Sequence, residues 1–254
     1  MEGLIPLLYS KRSKFLLVFF ISFSFAVILS GTAKSYSFLK PELLTKTLTV
    51  AQGDSINRIL NKLSSNIFEK TLIKIFLFTN NINLIQAGHY DIESKSWQEI
   101  FFNLSNGKIK VYKFKIQEGS NFFHLKDQIL SSQMTLDCPN FDCLSAHFGF
   151  IEGTLMPETY FYNFQSSASN ILIRSQKSFF EYAELLWSKR ISSNSLKSLK
   201  DAIILASIVE KEAGNNMEKP IIAGVFLHRL EKGMRLQADP TIIYGLLPNF
   251  NGNI

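Results

Sequence analysis

The stretch from Phe15 to Ala33 limits this chain more than any other, because nineteen consecutive residues there carry no charge. Wound as a helix at about 1.5 Å per residue, such a run is long enough to cross about 30 Å of hydrocarbon. Lys11, Arg12 and Lys14 precede it. The positive-inside bias therefore keeps residues 1–14 as a cytoplasmic tail, makes 15–33 a transmembrane helix and places the rest outside. A cleaved signal peptide is the rival reading, since Gly31-Thr32-Ala33 passes as a small-residue cleavage site; the apolar run exceeds a typical signal core. A buried helix of a soluble protein is the third reading.

Beyond that segment there is room for one or two domains, and 46% apolar residues suffice for a sizeable core. The formal charge of +6 comes from dispersed basic residues, with no stretch that interleaves them with aromatics as a nucleic-acid surface does. His89, His124, His147 and His228 are scattered, and Cys138 and Cys143 stand alone as a pair. The expectation is therefore no metal site and no cofactor, with a local disulfide open to the two cysteines outside the cytoplasm. Neither a Gly-rich phosphate loop nor a Gly-x-Ser-x-Gly elbow occurs.

Leu48 to Leu63 alternates at first, passes through Gly53-Asp54-Ser55, then carries apolar residues at 56, 59, 60 and 63. That pattern spells strand, turn, helix. It recurs from Phe114 through Gly119-Ser120-Asn121 to Ile129, which suggests two related β-turn-α units. Between them lie a short strand near Ala87–Ile92, a helix over Trp97–Leu104 stopped by Asn106-Gly107, and a strand over Val111–Ile116. A boundary falls near Asn106–Lys110, ending a first α+β domain at 45–106 and opening a second at 110–254. Farther on, Phe179–Trp187 reads as an amphipathic helix whose Phe179, Phe180, Leu185 and Leu186 belong to a core. A Ser-rich linker, 192–198, follows.

The second domain centres on Ser198–Tyr244. Leu199–Ala213 reads as a helix with Ser198 as N-cap and Gly214 as its stop. It is apolar almost all round, the mark of a buried helix. Glu210 shares a face with Ile203 and Ala206, so burial and the negative helix end would both raise its pKa towards that of a general acid. The ordinary alternative is a Glu paired with a buried Arg, or solvated beside Lys211 and Glu212. A second helix over Glu218–Lys232, with core stripe Ile222, Val225, Phe226 and Leu230, makes a hairpin that brings Glu218 back towards Glu210. An extended segment from Gly233 to Ala238 then leads into Asp239-Pro240-Thr241, an N-cap and first turn of a short helix through Tyr244.

Ala206-Ser-Ile-Val-Glu210-Lys-Glu212, Glu218, Val225-Phe226, Arg229-Leu230 and Gly233-Met-Arg-Leu-Gln237-Ala-Asp239-Pro-Thr241-Ile-Ile-Tyr244-Gly245 resemble the endolytic murein transglycosylase family. Glu152-Gly-Thr-Leu-Met-Pro157-Glu158-Thr159-Tyr160 resembles a second block of that family, and the unit around Gly53 resembles its LysM-like region. The strand-Gly-helix pattern alone is common and need bind nothing. The resemblance implies an α+β protein on an inner-membrane anchor that cuts the MurNAc–GlcNAc bond of peptidoglycan glycan strands. It implies 1,6-anhydroMurNAc ends, termination of nascent strands and synthases as partners, with Glu210 as the catalytic acid. Glu218, Gln237, Asp239 and Thr241 become candidate sugar contacts, although capping alone explains Asp239. Glu158 or Tyr160 would line a saccharide groove, or equally belong to a turn with core aromatics.

Family members continue past the Asp-Pro-Thr-Ile-Ile-Tyr segment, so the chain is expected to be C-terminally truncated. That keeps open a membrane-anchored peptidoglycan-binding protein without catalysis, or an inactive remnant. An unrelated periplasmic hydrolase or folding factor would have to treat the spaced matches as chance.

Overall fold

A computed structural model describes residues 5–41, 45–191 and 195–246. The first four residues of the expected tail, residues 192–194 of the expected linker and residues 247–254 lie outside the described residues. The chain combines helices with small antiparallel sheets, and divides into two compact units between Lys110 and Val111.

The first unit begins with helix α1 (Ile5–Ser37), which runs past both ends of the uncharged stretch. One window of it, Lys14–Ser37, is long and apolar enough to cross a membrane. Then come β1 (Thr47–Val50), α2 (Ile56–Leu63), α3 (Ile67–Thr79), β2 (Gly88–Asp91) and α4 (Trp97–Ser105). Strand β1 pairs antiparallel with β2, Leu48 opposite Tyr90. The turn before α2 follows local rules. Gly53 takes φ +84°, and the Ser55 side chain accepts from the Arg58 backbone as N-cap. The Asp54 carboxylate accepts from Arg58, Lys62 and the Ala51 backbone, and these bonds, Arg58's first, hold it far below the usual carboxylate range. Helix α4 opens with a capping box between Ser96 and Glu99.

Helix α3 was not legible beforehand, and neither was the fate of the end of α1. Ala33 and Ser37 are fully buried, and Leu29 and Tyr36 pack on the same core as Ile59, Leu60, Ile73, Phe76, Tyr90 and Trp97. The Glu69 carboxylate joins three elements there. Its Oε1 accepts from the Tyr36 hydroxyl at 2.8 Å and from the Trp97 indole at 3.2 Å, and its Oε2 accepts from Ser64.

The second unit contains β3 (Val111–Lys115), α5 (Phe122–Leu130), β4 (Thr159–Asn163), α6 (Ala168–Ser188), α7 (Leu199–Glu212), α8 (Lys219–Glu231) and α9 (Asp239–Leu246). Strands β3 and β4 pair antiparallel with Phe114 opposite Tyr160, over a core that includes Leu125, Ile129, Phe141, Ile171 and Leu172. Cys138 and Cys143 form a disulfide, with Cα atoms 5.9 Å apart. Helix α6 starts eleven residues before the expected Phe179, because Asp137 caps it from a distant loop. Its carboxylate accepts from the Ser169 backbone at 3.0 Å, the Ser169 hydroxyl at 2.6 Å and the Ser167 hydroxyl. Burial alone would raise the pKa of Asp137, but these bonds outweigh it and bring the group down to about 2. Leu185 and Leu186, expected in a core, are exposed on the last turns of α6.

Replacing Glu69 by Ala leaves the buried Trp97 indole N–H and the Tyr36 hydroxyl without their acceptor. It should destabilise the first unit by about 1–3 kcal/mol, read as a lower urea midpoint of the full chain by tryptophan fluorescence.

Candidate active site

Helix α7 carries the candidate acid. Its start is closed by a capping box in which the Ser198 hydroxyl accepts from the Asp201 backbone and the Asp201 carboxylate accepts from the Ser198 backbone. The expected burial all round is corrected: Ile203, Leu205 and Val209 are buried, but Ile204 and Ala206 are exposed. Helix α7 packs on α8, α9 and α6 and leaves its remaining positions to solvent. In α8, Phe226 is buried, while Val225 and Leu230 of the expected stripe face out. The small core between these helices is Leu205, Val209, Phe226 and Ala238.

Glu210 therefore is not a desolvated acid. Its side chain keeps 31% of its exposure, and its Oε2 accepts from the Lys219 ammonium at 2.6 Å. This arrangement lies close to the ordinary alternative of a paired, partly solvated Glu, with Lys219 as the partner instead of an Arg. The hairpin brings back Lys219, at the first position of α8, where a second acid was expected. Glu218 is the residue before it, the N-cap, and its carboxylate folds onto the connecting turn. It accepts from the Gly214 backbone at 2.9 Å and from the Asn215 side chain at 2.6 Å.

The turn of the second β-turn-α unit meets the end of α7. Gly119 takes φ +65°, and a Cβ placed on it would lie 3.3 Å from Glu210 Cγ and 3.4 Å from Lys211 Nζ. Helix α5 starts beside that turn, with Asn121 as N-cap and the Phe122 backbone N–H donating to Glu152 Oε1 at 2.9 Å. The other oxygen of Glu152 accepts from the Tyr244 hydroxyl on α9. Gly119, Glu152, Glu210, Lys219 and Tyr244 thus tie β3–α5, the loop before β4, and α7 to α9 into one constellation. Burial first, then the bond to Glu152 and its negative charge, push the Tyr244 phenol up to about 12.

The remaining candidates fall around this centre or within the fold. Gln237 sits at φ +55° and its Oε1 accepts from Arg229 at 3.4 Å. Thr241 donates to the Ala238 carbonyl at 2.7 Å in the first turn of α9, where Asp239 is exposed. Glu158 is exposed, and its carbonyl accepts from Ile116 beside the β3–β4 sheet. Tyr160 takes the core half of its two readings. It is buried, its hydroxyl donates to the Met156 carbonyl at 3.0 Å, and Arg174 stacks over its ring at 5.2 Å.

The sequence profile of the YceG-like family matches residues 48–254. The chain belongs to the YceG-like family. Proteins named endolytic murein transglycosylase are similar to it. That of Bacillus subtilis is 34% identical over 95 residues, which is 37% of this chain and 26% of that one. That of Streptococcus pneumoniae is 33% identical over 98 residues, 37% of this chain and 17% of that one. The matched stretch thus spans about a quarter or less of these relatives. A crystal structure of a YceG-like protein from Listeria monocytogenes is also similar, at 25% identity and a TM-score of 0.46 over 82% of this chain and 77% of that one.

In this YceG-like chain, three site residues escaped sequence reasoning: Lys219, Glu152 as an acceptor, and the pairing of Tyr244. Lys219 had a signal, since a Lys at the first position of a returning helix lies as near the end of α7 as Glu218 does. The Glu152–Tyr244 pair joins residues 92 apart and had none.

Two outcomes follow from this geometry. Gly119→Ala forces a side chain into the left-handed region against Glu210 and should cost about 1–2 kcal/mol, read as a lower midpoint in urea. Tyr244 is raised from 10.0 to about 12, so its bond contributes stability that is fully present below pH 10 and is lost as pH rises towards 12. A phenolate absorbance titration of the parent should show a group ionising near pH 12 that Tyr244→Phe removes and Glu152→Gln moves down.

Proposed function

We propose that this chain is an endolytic lytic transglycosylase, held at the inner membrane by α1 with its bulk outside, that cleaves the MurNAc–GlcNAc bond of peptidoglycan. The observation that carries the reading is the position of Glu210, on the last turn of α7 where the Gly119 turn and the start of α8 converge. The names of its relatives support the reaction class.

A transglycosylase of this kind needs one carboxyl group, because its nucleophile is the substrate's own C6 hydroxyl. Lys219 engages Oε2 of Glu210, so Oε1 is the oxygen assigned to proton exchange with the sugar. Glu210 protonates the oxygen leaving C1 of the MurNAc residue. As a carboxylate it then takes the proton of the C6 hydroxyl while that oxygen bonds to C1, giving a 1,6-anhydro ring and returning the acid. Gln237, Asp239 and Thr241 at the start of α9 are the proposed sugar contacts, and Glu218 acts by holding the α7–α8 turn. Tyr160 acts through the fold, and Glu158 remains an exposed carboxylate available to a saccharide. The first unit, as a LysM-like module, would hold a glycan strand, and synthases that polymerise strands at the membrane would be partners in ending them.

A second reading is a membrane-anchored peptidoglycan-binding protein without catalysis. It is favoured by one observation, the partly solvated ion pair in which Glu210 rests.

Incubating the chain with purified peptidoglycan separates the two. The enzyme should release fragments with 1,6-anhydromuramyl ends detectable by mass spectrometry, and Glu210→Gln should lose them while keeping its unfolding midpoint. Binding with no such ends from a folded parent would establish the second reading.

A further inference from the structure

We infer that the first unit seats itself in the outer face of the bilayer, through Phe78 at the far end of α3 and Leu84 in the loop that follows it, so that the anchor and its domain enter the membrane as one piece. The inference rests on the reading of α1 as a membrane anchor.

The direction of α3 follows from where α1 stops. Tyr36, next to the last residue of α1, is bonded to Glu69 in the first turn of α3. Helix α3 nevertheless packs along α1. No further α1 lies beyond Ser37, so α3 must run back along residues 29–37, antiparallel, towards the apolar span. Leu29 and Ala33, on the same helical face as Tyr36, join the core of this unit accordingly. Phe78 follows Glu69 by nine residues, about 13 Å of helix rise, which brings it level with residues 27–28 of α1.

The span then cannot be accommodated by bare helix alone. Lys11, Arg12 and Lys14 mark the cytoplasmic edge, and Lys34 is the next charge along α1. The part of α1 below the domain core, Phe15–Ile28, measures about 21 Å against about 30 Å of hydrocarbon. The far end of α3 therefore reaches the depth of the outer leaflet.

Its surface suits that depth. Phe78 is 79% exposed, and Leu84, five residues past the end of α3 in the loop that follows, is 80% exposed. Asn80, Asn81 and Asn83 beside them are also exposed and too polar for the acyl interior, so the tip stops where acyl chains meet headgroups, the bilayer thinning around it to match the short span. Lys74 is exposed one turn before Phe78, on the same face, within reach of lipid phosphates. From Lys70 to Tyr90 the sequence contains no Asp or Glu, so nothing in this stretch repels an anionic bilayer.

The test is depth-dependent quenching on the full chain reconstituted in phosphatidylcholine–phosphatidylglycerol vesicles. Its own cysteines are joined to each other, so single cysteines at Phe78→Cys, Leu84→Cys, Ile21→Cys and Phe68→Cys can carry an environment-sensitive fluorophore. Phe68 is equally apolar, 69% exposed and at the opposite end of α3. The expected result is loss of fluorescence at 78 and 84 with lipid nitroxides placed high on the acyl chain, loss at 21 with deep nitroxides, and none at 68. Quenching at 21 alone would overturn the seat while leaving the anchor standing. Quenching at 68 as strongly as at 78 would overturn the orientation on which the seat depends. No quenching at 21 would overturn the anchor, and the seat with it.

Discussion

The site turns on one contact, the Lys219 ammonium on Oε2 of Glu210. Its worth does not lie in stability. Both side chains keep close to a third of their exposure, and pairs in such surroundings contribute about 0–1 kcal/mol once solvent screening and side-chain entropy are counted. What the contact supplies is position. A Glu side chain on the last turn of a helix has several rotamers open to it, and a donor fixed at the first position of the next helix selects one. That selection depends on the turn between the helices, which Glu218 closes by accepting from Gly214 and Asn215. The two acids of the hairpin thus do different work: one shapes the turn, and the other is presented by it.

This division explains what the sequence disclosed and what it withheld. Signals acting within a few residues were legible: Ser198 at the start of α7, Pro220 in the first turn of α8, and the glycines at 53 and 119. The chemistry that sets those features lies inside each segment. The burial of Glu210 was misjudged because apolar composition does not say which positions of a helix its neighbours will cover, and α7 leaves Ile204, Ala206 and Ser207 exposed. The start of α6 was missed for a similar reason. Its capping acid, Asp137, lies about thirty residues upstream in a loop, where no helical pattern marks it. The end of α1 was hidden by its own composition, since an apolar turn entering a domain core reads the same as one entering lipid.

In the first unit, that shared composition has a structural consequence. Ala33 lies within the uncharged run and is fully buried in the domain core, so no stretch of linker separates span from domain. Glu69 makes the junction stiff by accepting from Tyr36 on α1, Ser64 before α3 and Trp97 on α4. A cut after Ala33, as a signal peptidase would make, would remove Leu29 and Ala33 from a packed core. Deleting buried apolar groups of this size costs on the order of 1–5 kcal/mol. The end of the apolar helix is thus part of the first unit's own core.

The two β-turn-α units differ in where the acid comes from. In both, a left-handed glycine precedes a polar pair, and the second member of that pair caps the helix: Gly53-Asp54-Ser55 and Gly119-Ser120-Asn121. The first turn contains its own carboxylate, Asp54, and neutralises it locally with Arg58 and Lys62. That turn is electrostatically closed. The second has Ser120 in place of Asp54; it carries Glu118 beside Gly119, and two further carboxylates arrive from elsewhere in the chain. Glu152 takes the backbone N–H at the start of α5, and Glu210 stands against Gly119. The neutral Ser120 leaves room for Glu210 to approach, and the missing side chain of Gly119 gives it the space. The same local motif thus closes on its own acid in one unit and receives an acid from α7 in the other.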